Sequence, residues 1–110
     1  MKINEIQKFC NELLSKVKYP RLGTIIGFQE EVGKLAGVIM DIEIYEKNID
    51  KTLLEERCSE VFFSFIDLCN SYNVDLDTVS SNRIIKINTN IEKWEKDHGE
   101  TLKDKRKKLD

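Results

Sequence analysis

Apolar residues recur at intervals of three and four along most of this chain, and that period admits little besides helices. Ile3, Ile6, Phe9, Cys10, Leu13, Leu14 and Val17 form the first stripe and predict a helix over 3–18. Tyr19-Pro20-Arg21-Leu22-Gly23 ends it, because proline lacks an amide donor and glycine relaxes the backbone. One proline and five glycines are too few for the turns of a many-stranded protein.

A second helix is predicted over 24–45, with Val32, Leu35, Ala36, Ile39 and Met40 as its apolar stripe. Gly27, Gly33 and Gly37 weaken it, each by about 1 kcal/mol relative to alanine. Gly33 and Gly37 share a face, which implies close approach of another helix or of a ligand there. The polar stretch 46–51 reads as a loop. Thr52 with Glu55 three residues later has the form of a capping box, so a third helix is predicted over 52–72. Its apolar residues, among them Val61, Phe62, Phe63, Phe65, Ile66 and Leu68, cover more than one face and call for neighbours on two sides, some of them from another subunit. Asn73 suits the left-handed residue after a helix end, and Asp75 or Asp77 can cap a fourth helix. That helix carries Val79, Ile84, Ile87, Ile91 and Trp94 and is predicted to stop near His98-Gly99. The strongly basic end, 103–110, reads as a frayed, solvated tail, with contact to an anionic partner as the alternative.

The expected architecture is therefore all-α: a four-helix antiparallel bundle over 1–99, completed by oligomerisation, with a basic tail over 100–110. Charged residues make up 35% of the chain and hydrophobic residues 40%, which suits a soluble helical protein. A net charge of −2 provides no field that would favour nucleic acid. No apolar run reaches membrane-spanning length, and Met1-Lys2-Ile3-Asn4-Glu5 has no apolar signal core, so a cytoplasmic protein is expected. Cys10, Cys58 and Cys69 are odd in number and far apart, and read as reduced thiols. With no Cys-x-x-Cys pair and a single histidine, zinc is disfavoured.

Two acidic helical segments carry the chemistry. In Phe28-Gln29-Glu30-Glu31-Val32-Gly33-Lys34, the acids stand beside core-facing residues, and the same holds in Glu55-Glu56-Arg57-Cys58-Ser59-Glu60-Val61. Carboxylates near an apolar core need partners. If the two helices pack antiparallel, Glu30, Glu31, Glu56 and Glu60 can face one another as a hard oxygen-donor site for Mg²⁺. Such an ion, with Mn²⁺ as its substitute, would neutralise a polyphosphate and acidify a bound water, which a spare carboxylate, with Glu31 as the candidate, could deprotonate. The other reading is a salt-bridged surface. Glu30 and Lys34 are an i,i+4 pair, and Arg57 and Glu60 an i,i+3 pair.

The order aromatic–x–Glu-Glu-Val-Gly–x–Leu-Ala, followed by Glu–x–x–x–acid–Val-Phe-Phe, resembles the MazG-like nucleotide pyrophosphohydrolases. The similarity runs over about 3–94 and includes Asn73-Val74-Asp75-Leu76, similar to that family's Gly-Ile-Asp-Leu, and Asn82-Arg83 with Lys86, similar to its Asn-Lys-x-x-Lys. The resemblance implies Mg²⁺-dependent hydrolysis of a nucleoside triphosphate to the monophosphate and pyrophosphate, in a homodimer or homotetramer. Glu30 and Glu31 match the opening acids of the family's Glu-Glu-x-x-Glu, and Glu56 matches an acid often found just before its second motif, Glu-x-x-Asp. Glu60 replaces that motif's aspartate. Lys34 and Arg57 stand where the family has two further acids, and a cation at a ligand position repels Mg²⁺. Two consequences follow. Either the metal site is lost and the fold serves as a nucleotide-binding or protein-interaction module, or Lys34, Arg57, Arg83 and Lys86 contact phosphates directly.

Lesser candidates have plainer readings. Asp67 and Ser64 extend a polar groove or form the helix's wet stripe. Phe28 and Trp94 stack on a base or belong to the core. His98 reads as a helix-end residue, favoured there by its partial positive charge.

Overall fold

The computed structural model describes residues 1–17 and 20–110. Four helices follow in chain order: α1 (Ile3–Leu14), α2 (Leu22–Glu43), α3 (Lys51–Ser71) and α4 (Leu76–Leu109). No strand occurs among the described residues, so the chain is all-helical, as its periodicity requires. It divides into two compact units, Met1–Leu76 and Asp77–Asp110.

In the first unit α1 and α2 both pack on α3. Partner numbers fix the directions. Gln7 meets Asn70, and Cys10 lies near Asp67, so α1 runs antiparallel to α3. Arg21 sits over the Tyr72 ring at 5.6 Å, and the Phe28 and Phe65 rings lie 5.7 Å apart, so α2 does the same. The central position of α3 accounts for its apolar residues on more than one face.

The core lies where α1, the end of α3 and the start of α4 converge. Cys10, Ile66, Cys69 and Leu76 are buried, and Ile3, Ile6, Leu14 and Val74 pack around them. Ile66 is fully enclosed, a burial that stabilises by roughly 1.5–3 kcal/mol. Many large apolar side chains stay at the surface, Phe9, Leu13 and Phe63 among them.

The helix ends differ from expectation in ways that local chemistry explains. α1 stops at Leu14, where the Ser15 amide and hydroxyl turn back to the Asn11 and Glu12 carbonyls. The last residue of its expected span, Lys18, and Tyr19 of the predicted terminator lie outside the described residues. The cap of α3 is Asp50, whose carboxylate accepts from the Leu53 amide at 3.0 Å. Thr52 is already inside the helix, so the predicted capping box is not the cap. Asn73 has the expected left-handed backbone, φ 56°, and closes α3 with paired bonds from Val74 N–H to Cys69 C=O and from Asn73 N–H to Asn70 C=O. Glu46 is also left-handed, φ 53°, beyond the end of α2.

In the second unit, α4 does not stop at His98-Gly99. It continues to Leu109 and takes in the basic end expected to fray. Lysine and arginine are good helix formers, and Arg106, Lys107 and Lys108 in the last turn complement the negative end of the helix dipole. Gly99 is carried in mid-helix. Gly33 and Gly37 have nothing within 4 Å of where a Cβ would stand, so among the described residues the expected close approach is absent.

Candidate functional site

Antiparallel packing of α2 on α3 brings the two acidic segments alongside one another. Lys34 Nζ lies 3.4 Å from Glu31 Oε1 and 3.6 Å from Glu30 Oε1. On α3, Arg57 Nη1 donates to Glu60 Oε2 at 2.9 Å. Between the helices, the Glu31 and Glu60 carboxyl groups lie close enough to influence one another.

Three of these groups, Lys34, Arg57 and Glu60, are tuned by their neighbours. The Arg57 hydrogen bond first, and contact with Glu31 second, hold the Glu60 carboxyl below the usual carboxylate range. Glu31 first, then Glu30, make Lys34 hold its proton more firmly. Arg57 is likewise raised, chiefly by its bond to Glu60, with smaller contributions from Glu56 and Glu31. Glu31 Oε2 is shielded from solvent and accepts no hydrogen bond from any described residue. Its acidic neighbour across the helices is the Glu60 carboxyl.

The arrangement is a patch of alternating sign. Of the four expected metal ligands, Glu31 and Glu60 are brought together. Glu30 lies outward, 65% exposed and paired with Lys34, and Glu56 is exposed and acts on Arg57 at a distance. No three His, Cys, Asp or Glu side chains among the described residues are grouped so as to hold a metal ion. As they stand, these residues do not fit Mg²⁺ or Mn²⁺, because the two cations occupy the carboxylates a metal would need.

The remaining candidates fall elsewhere. Phe28 packs on Phe65 and is a packing residue. Arg83 and Lys86 share a face of α4, in the second unit. His98 lies within α4 and not at its end. Ser64 and Asp67 line the polar edge of an otherwise apolar groove of about 690 Å³ between α1 and α3, walled by Ile6, Phe9, Leu13 and Phe63. That groove was not anticipated, since Phe9 and Leu13 read as core. Their place on the α1 stripe shows that they need cover, but not whether the same chain supplies it.

No family model, no curated protein and no solved structure matches this chain. The likeness to MazG-like proteins therefore rests on the sequence motifs alone.

Proposed function

We propose that the chain is a non-catalytic helical module of MazG-like type that assembles as a homo-oligomer and acts by binding, in the cytoplasm. One observation carries the reading: both cations at the family's ligand positions are paired with the acids of the same patch, Lys34 with Glu31 and Arg57 with Glu60. A divalent ion entering there would meet two fixed positive charges within a few ångströms and would have to displace both from its ligands. The free thiols of Cys10, Cys58 and Cys69 suit a reducing compartment. No helix among the described residues is long and apolar enough to cross a membrane. Assembly is supported by the surface apolar residues of the first unit, since Phe9, Leu13 and Phe63 stay uncovered around the α1–α3 groove.

The second reading is nucleoside triphosphate pyrophosphohydrolysis. The unbonded Glu31 Oε2 favours it, because an oxygen already stripped of water is placed to accept a proton or a cation. Magnitudes keep nucleotide binding open as well. Solvent-screened ion pairs such as these are weak, so a polyphosphate could draw Lys34 and Arg57 away from their carboxylates. The experiment is a panel of nucleoside triphosphates and deoxynucleoside triphosphates assayed for pyrophosphate release with Mg²⁺ or Mn²⁺. A Glu31→Gln control runs beside it, together with calorimetric titration of a non-hydrolysable triphosphate. No release is expected from any nucleotide. Release that Glu31→Gln abolishes would replace the first reading with the second, and absence of heat in the titration would remove nucleotide binding.

A further inference from the structure

The second compact unit is a single helix, and a single helix cannot bury its own apolar stripe. At about 100° per residue, positions 84, 87, 91, 94, 98, 102, 105 and 109 all fall within ~40° of one line along α4. Six of them are Ile84, Ile87, Ile91, Trp94, Leu102 and Leu109, and the other two are His98 and Lys105. Ile87, His98 and Leu109 are spaced by eleven residues, as are Ile91 and Leu102. An eleven-residue period lies so close to the natural helix that two such stripes can run side by side with little supercoiling. The stripe from Ile84 to Leu109 is about 38 Å long, and the whole helix about 51 Å, against about 33 Å for α2. No helix of the first unit is long enough to cover all of α4.

We propose that α4 pairs antiparallel with α4 of a second copy of this chain, about a two-fold axis at His98. Three features of the sequence select this occupant. The stripe is its own complement when reflected through His98. Trp94 comes level with Leu102 of the second copy, Ile87 with Leu109, and Ile91 with the aliphatic stem of Lys105. A parallel pairing would set the basic segment 103–108 of one copy beside that of the other, five cations against five. The antiparallel register instead lays it along 88–93, where the only charges are Glu92 and Lys93. It also puts Arg106 on the same flank as Glu95 of the second copy, about 7.5 Å along the axis and within reach of two long side chains. The helix dipoles then oppose, as they do not in a parallel pair.

This inference rests on the homo-oligomer reading above, and its test separates the two. In a Cys58→Ser background of the full chain, His98→Cys is compared with Lys96→Cys, which points away from the stripe, under mild oxidation. Helix content is checked by circular dichroism, and sedimentation equilibrium reports the assembly. The expected result is a dimer in which His98→Cys forms an intermolecular disulfide at least about ten-fold faster than Lys96→Cys, because only positions on the axis approach within disulfide range. Ile91→Glu should shift that dimer towards monomer with helix content retained. A monomeric chain would overturn both this inference and the homo-oligomer reading. An oligomer in which the two cysteines cross-link equally, or which Ile91→Glu leaves intact, would overturn this inference alone.

Discussion

Gln7 and Asn70 hold each other in both directions: Gln7 Nε2 donates to Asn70 Oδ1 at 3.1 Å, and Asn70 Nδ2 donates to the Gln7 carbonyl at 2.9 Å. Gln7 does more. Its amide also donates to the Val74 carbonyl at 2.8 Å, and its Oε1 accepts from the Leu76 amide at 3.0 Å. A side chain from α1 thereby caps the first amide of α4 and fixes the α3–α4 turn.

Gln7→Leu keeps the size of the side chain and removes both partners of that turn. The Leu76 N–H, which is buried, and the Val74 C=O are then left unbonded, at about 1–3 kcal/mol each. A loss of roughly 2–4 kcal/mol is expected in urea denaturation, with a smaller loss for Asn70→Ala. A change within the error of the melt would remove Gln7 from this role.

At the start of α3, Asp50→Ala should cost about 1 kcal/mol, because it deletes the carboxylate that accepts the Leu53 amide. Thr52→Ala, inside the helix, should stay within about 0.5 kcal/mol. The reverse order in paired denaturation curves would return the cap to Thr52.

What could be read in advance separates into local and long-range parts. Helix existence was legible because apolar residues recur at intervals of three and four along Ile3 to Val17, Val61 to Tyr72 and Val79 to Trp94, whether or not this chain itself covers them. The i,i+3 and i,i+4 pairs of Lys34 and Arg57 were legible too, since helix geometry alone sets them. Helix ends were less so: Asp50 and Thr52 can both cap, and periodicity does not choose between them. Gly99 suggested a stop, yet the helix-forming residues after it carry α4 through. The Gln7 hub joins residues 63 to 69 positions apart and leaves no local trace. The approach of Glu31 to Glu60 depends on how α2 registers against α3, which the packing of Phe28 on Phe65 sets.

The thiols should sort by burial. Cys58 is exposed, whereas Cys10 and Cys69 are buried. Desolvation, with the Asp67 charge adding at Cys10, pushes both buried thiols above their ordinary value of 9.0. A disulfide reagent near neutral pH should titrate one thiol fast and two slowly. The linkage also has a sign. The folded chain resists ionising these thiols, so below pH 9 they do not affect stability. As pH rises past 9 the unfolded chain ionises first, and stability should fall. Alkaline melts of Cys10→Ala that decline as steeply as those of the unaltered chain would exclude Cys10 as a source.

The acidic patch offers the sharpest reversal. In the unaltered chain, Glu60 is held ionised mainly by Arg57, so its contribution to stability is present above the usual carboxylate range and lost as pH falls below it. Replacing the cations by Lys34→Glu with Arg57→Glu removes both ion pairs and leaves Glu31 facing Glu60 among new acids. Two opposite effects should appear together. Without divalent metal the double variant should melt lower than the parent at neutral pH, because like charges now crowd the α2–α3 packing, and acidification should partly restore it. With Mn²⁺ or Mg²⁺ the variant should melt higher, since a divalent ion can satisfy carboxylates that no longer have cationic partners. The parent should show no such metal response, because Lys34 and Arg57 already occupy that role. Differential scanning calorimetry of both proteins across pH, with and without metal, decides it. A parent stabilised by Mn²⁺ as strongly as the double variant would show that the two cations do not block the site.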